Sequence, residues 1–122
     1  MTENTQKADD EKLVDLLLKT GMRKNVAKTL VFLKNTPETT SVDIETSTSL
    51  RQPEVSIAMQ ELRNREWVEK RDIKKKGKGR PVHAYHLAVD FSDIIDAIEE
   101  DEKRRVQGIL DNIEELRRVD LG

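Results

Sequence analysis

From Phe91 onward the stretch "FSDIIDAIEEDEKRRVQGILDNIEELRRV" repeats apolar residues in threes and fours: Phe91, Ile94, Ile95, Ile98, Val106, Ile109, Leu110, Ile113 and Leu116. That spacing aligns them on one stripe of a helix, interrupted at mid-length by the polar "EEDEKRR" and by Gly108. A helix of about 28 residues is a rod of about 40 Å. The rest of a 122-residue chain is too small a globule to cover such a rod. The stripe therefore needs a partner, and a second copy of the chain is the expected one.

The remaining composition agrees with a thin core. Hydrophobic residues make up 35% of the chain and charged ones 38%, so burial is scarce and association is a route to more of it. The absence of cysteine removes disulfides, thiolate catalysis and Cys-ligated zinc together. The amino-terminal "MTENTQKADDEK" lacks the apolar stretch of a signal peptide, and no apolar run is long enough to span a bilayer. No membrane partner is expected, and the expected compartment is the cytoplasm. Charge is unevenly spread: residues 1–50 carry net −1, residues 51–89 net +5 and residues 90–122 net −6. The overall −2 thus hides a basic middle, and local field rather than net charge decides what a surface attracts.

Along the chain, "EKLVDLLLKTG" places Leu13, Val14, Leu16, Leu17 and Leu18 in a short helix that Gly21 can end. "MRKNVAKTLVFLKN" repeats Met22, Val26, Leu30 and Leu33 at helical spacing until Pro37. Thr40 or Ser41 can cap a third, short helix, "STSLR" is a turn, and Pro53 sits in the first turn of the next helix, where its missing N–H costs nothing. "WVEKRDI" and "VHAYHLAV" are β-like runs around "KKKGKGRP", which reads as a β-hairpin with a long basic tip. The expected fold class is mainly α with a small β-hairpin.

A short helix, a tight turn and a second helix form a helix-turn-helix unit, whose second helix can enter a DNA major groove. Ile44, Leu50, Val55 and Ala58 fall where such a unit buries apolar residues, Leu50 plugging the turn. On a wheel of about 100° per residue, Ala58, Met59 and Leu62 lie within about 60° of Val55. Pro53, Ile57, Gln60 and Asn64 then face outward, flanked by Ser56 and Glu61. That face is nearly uncharged and able to hydrogen-bond. Gln pairs bidentately with adenine, and an Ile methyl can meet the methyl of thymine. Arg51, just before the helix, can reach a phosphate or a guanine. In the hairpin Lys74, Lys75, Lys76, Lys78 and Arg80 are suited to neutralising phosphates, which adds affinity without sequence information.

Other chemistries find less support. The hairpin tip lacks the Gly-x-x-x-x-Gly-Lys-Ser/Thr pattern of a phosphate loop, and no helix starts after it. His83 and His86 are three apart on a strand, hence on opposite faces and poor co-ligands of a metal. No nucleophile–base pairing is evident. Neither an enzyme nor a cofactor or metal is expected.

The strings "LRQPEVSIAMQELRNREWV" and "GRPVHAYHL" resemble the winged helix-turn-helix regulators common in archaea, TrmB-like with MarR-like and ArsR-like relatives, over about residues 22–89. The resemblance implies a winged helix-turn-helix domain at 22–89 and a C-terminal amphipathic dimerisation helix at 90–122. The helix in 1–21 would support the dimer. It further implies a homodimer on a roughly palindromic operator. Contacts to DNA would come from Thr40, Ser41, Arg51, Gln52, Pro53, Glu54, Ser56, Ile57 and Gln60, and from the wing at Lys74, Lys75, Lys76, Lys78 and Arg80. The dimer seam would use Leu13 and Leu17 with Phe91, Ile94, Ile95, Ile98, Val106, Ile109, Leu110, Ile113 and Leu116. Ser49 departs from the pattern, standing where the turn usually holds glycine. Larger TrmB-like proteins carry a C-terminal effector domain where this chain has a helix, so sugar sensing is not expected. The function so read is a dimeric, sequence-specific regulator on double-stranded DNA. The competing reading is a winged-helix assembly module whose acidic tail docks a basic protein, for which a basic wing would be superfluous.

Overall fold

Gly21 decides where the first helix stops. Its φ of 91° is the left-handed backbone that glycine adopts without penalty. The N–H groups of Thr20 and Gly21 turn back to the carbonyls of Leu17 and Leu18 at 3.1 and 3.0 Å. The computed structural model describes residues 2–73 and 82–122. In it this helix, α1, runs Thr2–Lys19, well upstream of the apolar run that announced it. Its polar first half carries no periodic signal, which is why the sequence understated its length. Leu17 is buried and Leu13 half-buried. α1 packs on α2, Lys24–Lys34, which buries Val26, Ala27, Leu30, Val31 and Leu33. Leu17, expected at the seam, is buried in the single chain, while Leu16 is 48% exposed.

A strand too short to show periodicity follows. β1, Thr39–Thr40, pairs with the hairpin, and Thr40 also caps α3, Ser41–Thr48, its hydroxyl accepting the Asp43 N–H at 3.3 Å. α3 stops at Ser49, whose φ of 60° and ψ of 27° are left-handed. A serine there carries the strain a glycine would avoid. Leu50 is buried in the turn.

α4, Gln52–Asn64, starts from Arg51 in extended conformation, with Pro53 in its first turn. The Glu54 carboxylate accepts the Arg51 N–H at 2.9 Å. A guanidinium has no acceptor to return that bond, so only half of a capping box forms. At its other end the N–H of Glu66 reaches Arg63 O at 2.9 Å and that of Trp67 reaches Leu62 O at 3.1 Å. Glu66 is left-handed, with φ 64°. That is a Schellman ending, with buried Trp67 and Leu62 as its apolar pair.

β2, Val68–Ile73, and β3, Val82–Leu87, are antiparallel, pairing Val68 with Leu87 through Ile73 with Val82. β1 joins the other edge of β3, Thr39 opposite Tyr85, giving the order β1-β3-β2. Glu38 clasps Arg71 at 2.7 Å beside it. Val68, Ala84 and Tyr85 are buried, Ala84 and Tyr85 on opposite faces of the sheet as neighbours in a strand must be, and the fully buried Leu30, Leu33, Ile44, Val55 and Leu62 come from α2, α3 and α4. Burying each such side chain contributes about 1.5–3 kcal/mol.

The chain divides into the units Met1–Phe91 and Ser92–Gly122. α5, Phe91–Leu121, has 31 residues and so is about 46 Å long. The polar stretch "EEDEKRR", which interrupts the apolar stripe, is helical throughout. Lys103–Glu99, Arg104–Asp101 and Arg105–Glu102 pair along the helix at 3.9, 3.8 and 3.0 Å, in the three- and four-residue spacings that support one. Gly108 is helical too. Ile94 is fully buried and Ile98 half-buried, whereas Ile95, Val106, Ile109, Leu110, Ile113 and Leu116 are 41–62% exposed. Ile94, expected at the seam, is thus buried already in the single chain. Among the described residues no helix is long and apolar enough to cross a membrane.

Candidate nucleic-acid interface

The geometry of α4 sorts its residues into four sides. Val55, Ala58, Met59 and Leu62 are all at most 3% exposed, so the inward side is as the wheel predicts. Opposite, Pro53, Ile57, Gln60 and Asn64 are exposed, Ile57 by 58%.

The third side, at about 240–260° from Val55, holds Glu54 and Glu61 and turns toward the start of α2. Asn25 donates to Glu54 at 3.2 Å, and Arg23 lies 3.7 Å from Glu61. Glu54 is thus spoken for: the Arg51 N–H, then Asn25, and the nearby Arg51 and Lys28 charges hold its carboxyl below the usual 4.5. Its work is to fix the helix start and the α2–α4 angle. The fourth side, at about 80–100°, holds Ser56 and Arg63 and turns toward β2. There Gln60, Arg63, Asn64 and Glu66 line an open groove of about 640 Å³ with Val68, Glu69 and Lys70.

Of the other expected contact residues, Arg51 and Gln52 are exposed at the start of α4, while Thr40 and Ser41 are half-buried at the start of α3. The Thr40 hydroxyl is engaged by its cap. Lys74, Lys75, Lys76, Lys78 and Arg80 lie outside the described residues. The strands leading to them are braced by cross-strand pairs, His83 Nδ1 to Asp72 at 2.6 Å and His86 Nε2 to Glu69 at 3.1 Å, the two residues of each pair directly opposite. Each histidine has its own carboxylate, and among the described residues no group of three His, Cys, Asp or Glu side chains could hold a metal ion. Arg71 is likewise committed: its bond to Glu38 holds that carboxyl below 4.5 and raises the guanidinium. Arg23, Lys24, Arg63 and Lys70, which flank the exposed side of α4, were not singled out by sequence reasoning. Arg63 is on α4 itself, and the packing of α2 and β2 against α4 brings the other three beside it.

A capped short helix, a left-handed turn plugged by Leu50, an exposed second helix and an antiparallel hairpin are now all in place. The chain has the winged helix-turn-helix fold. No family model matches the sequence, and no curated protein matches it. Solved structures do. One is TrmBL2, an archaeal chromatin protein described as showing a novel mode of DNA binding, with TM-score 0.67 and 15% identity over 90% of this chain. This chain spans only 40% of that protein. Another is a possible transcriptional regulator from Methanosarcina mazei, with TM-score 0.60 and 17% identity, covering 86% of each chain. A third is a MarR-family transcription regulator, with TM-score 0.55 and 20% identity over 88% of this chain and 70% of that one. Identities this low speak for the winged-helix fold alone.

Proposed function

We propose that this winged-helix protein is a transcriptional regulator that binds double-stranded DNA sequence-specifically as a homodimer. α4 enters the major groove, and the wing tip at Lys74, Lys75, Lys76, Lys78 and Arg80 grips phosphates or the minor groove. The observation that carries the reading is the outward side of α4, where Ile57, Gln60 and Asn64 are exposed, uncharged and able to discriminate bases. It is supported by the fold's likeness to a DNA-binding chromatin protein and to transcription regulators. Dimerisation is supported by the exposed stripe of α5, which nothing within Ser92–Gly122 covers.

A mobility-shift titration with genomic fragments tests it. Replacing Lys74, Lys75 and Lys76 by alanine should weaken binding to every sequence and lower the salt slope by about 0.9 per lost phosphate contact. Gln60→Ala should instead alter sequence preference. DNA binding indifferent to both changes, or absent while a basic protein partner is captured, would replace this reading with an assembly role.

A further inference from the structure

A helix with its side chains is about 10–12 Å across, and the major groove of B-DNA is about 12 Å wide. A helix that fills the groove therefore has one phosphate backbone along each flank. On the β2 flank of α4 the hairpin is at hand for one strand. The other flank is an open groove of about 280 Å³ bounded by Arg23, Lys24, Asn25 and Val26 of the α2 region and by Glu54, Ile57 and Ala58 of α4. Ile57 belongs at once to this groove and to the exposed ridge, so anything the ridge touches brings its backbone past Arg23 and Lys24.

We propose that Arg23 and Lys24 form a second phosphate seat, binding the DNA backbone on the side of α4 away from the wing. This rests on the DNA-binding reading above and specifies which residues hold the second strand. Both side chains are exposed, Arg23 by 73%. The Arg23 bond to Glu61, long at 3.7 Å and in solvent, is weak enough to be exchanged for a phosphate, while it keeps the guanidinium beside α4 in the free protein. Glu54, the acid that lines the groove, has its carboxylate occupied by the Arg51 N–H and the Asn25 amide, so it is turned to the scaffold. With cations on both flanks, the protein is held in the groove by contacts that carry no sequence information, and the ridge is left to read bases.

The test uses the full chain and a DNA fragment selected by it. The Arg23→Ala/Lys24→Ala variant should bind all fragments more weakly, with the slope of log affinity against log salt reduced by about 1.8 and the order of preference unchanged. Lys24→Gln alone should remove about half of that. A Lys12→Ala/Lys19→Ala control on α1 should leave the slope as it is. Thermal melts of each variant check that the fold is retained. A wild-type slope in the double variant, while the wing variant still flattens it, overturns the second seat and leaves DNA binding standing. A wild-type chain without DNA affinity overturns both.

Discussion

Two regions of this chain carry apolar residues at the same helical spacing and treat them in opposite ways. Within Met1–Phe91, the stripes of α2 and α4 end in a common core, with Leu30 and Leu62 wholly excluded from solvent. Within α5, beyond Ile98, an equally regular stripe remains exposed, Val106 by 49% and Leu116 by 62%. Periodicity states which side of a helix is apolar. It does not state which chain covers that side.

The comparison breaks most visibly in the core. Leu62→Ala should cost about 2–5 kcal/mol, because the cavity lies among α4, α2 and the sheet and cannot collapse freely. Urea unfolding measures it, and a loss under about 1 kcal/mol would mean the core is looser than its burial implies. The corresponding change on α5, Ile109→Asp with Ile113→Asp, should alter the stability of Met1–Phe91 by no more than about 0.5 kcal/mol. Its effect should fall on self-association, weakening it at least about 100-fold, since each aspartate would bury an unpaired charge. Sedimentation equilibrium reads this directly. A wild-type chain that stays monomeric at high concentration would remove the proposed seam, and removal of residues 90–122 without loss of the dimer would move it to α1.

Smaller effects sharpen the contrast within the first unit. Ser49→Gly should stabilise by about 1 kcal/mol, the order of the left-handed penalty it relieves. Chemical denaturation would show it, and a destabilised variant would mean the hydroxyl is needed in the turn. The cap of α4 should show itself through pH. The Glu54 carboxyl is held below 4.5 in the folded chain, so its contribution is present above that pH and is lost as pH falls through the folded value. Glu54→Gln should therefore melt at a lower temperature near neutrality, and the gap should close below about pH 4.5. A gap independent of pH would place the loss in packing rather than in charge.

Much of the helix-turn-helix was legible because its signals are local. A threonine cap, a plug at Leu50, a proline in the first turn and four apolar residues on one side of α4 each need only neighbours in sequence. β1 was not legible, since two residues have no period, and its pairing with Tyr85 and Ala84 depends on a strand more than forty positions away. The burial of Leu17 was not legible either, since spacing cannot distinguish a stripe that meets its own chain from one that does not. The flanking cations Arg23 and Lys70 were hidden for the same reason.

By itself, then, the sequence determined the helices, the turn, the hairpin and the neutral ridge of α4, all of which follow from short-range periodicity, capping and turn chemistry. Only the tertiary structure decided which charges gather beside that ridge and which acids are taken up by caps and cross-strand pairs. Those outcomes depend on distances between residues far apart in the chain, and a linear pattern contains no such distances until packing creates them.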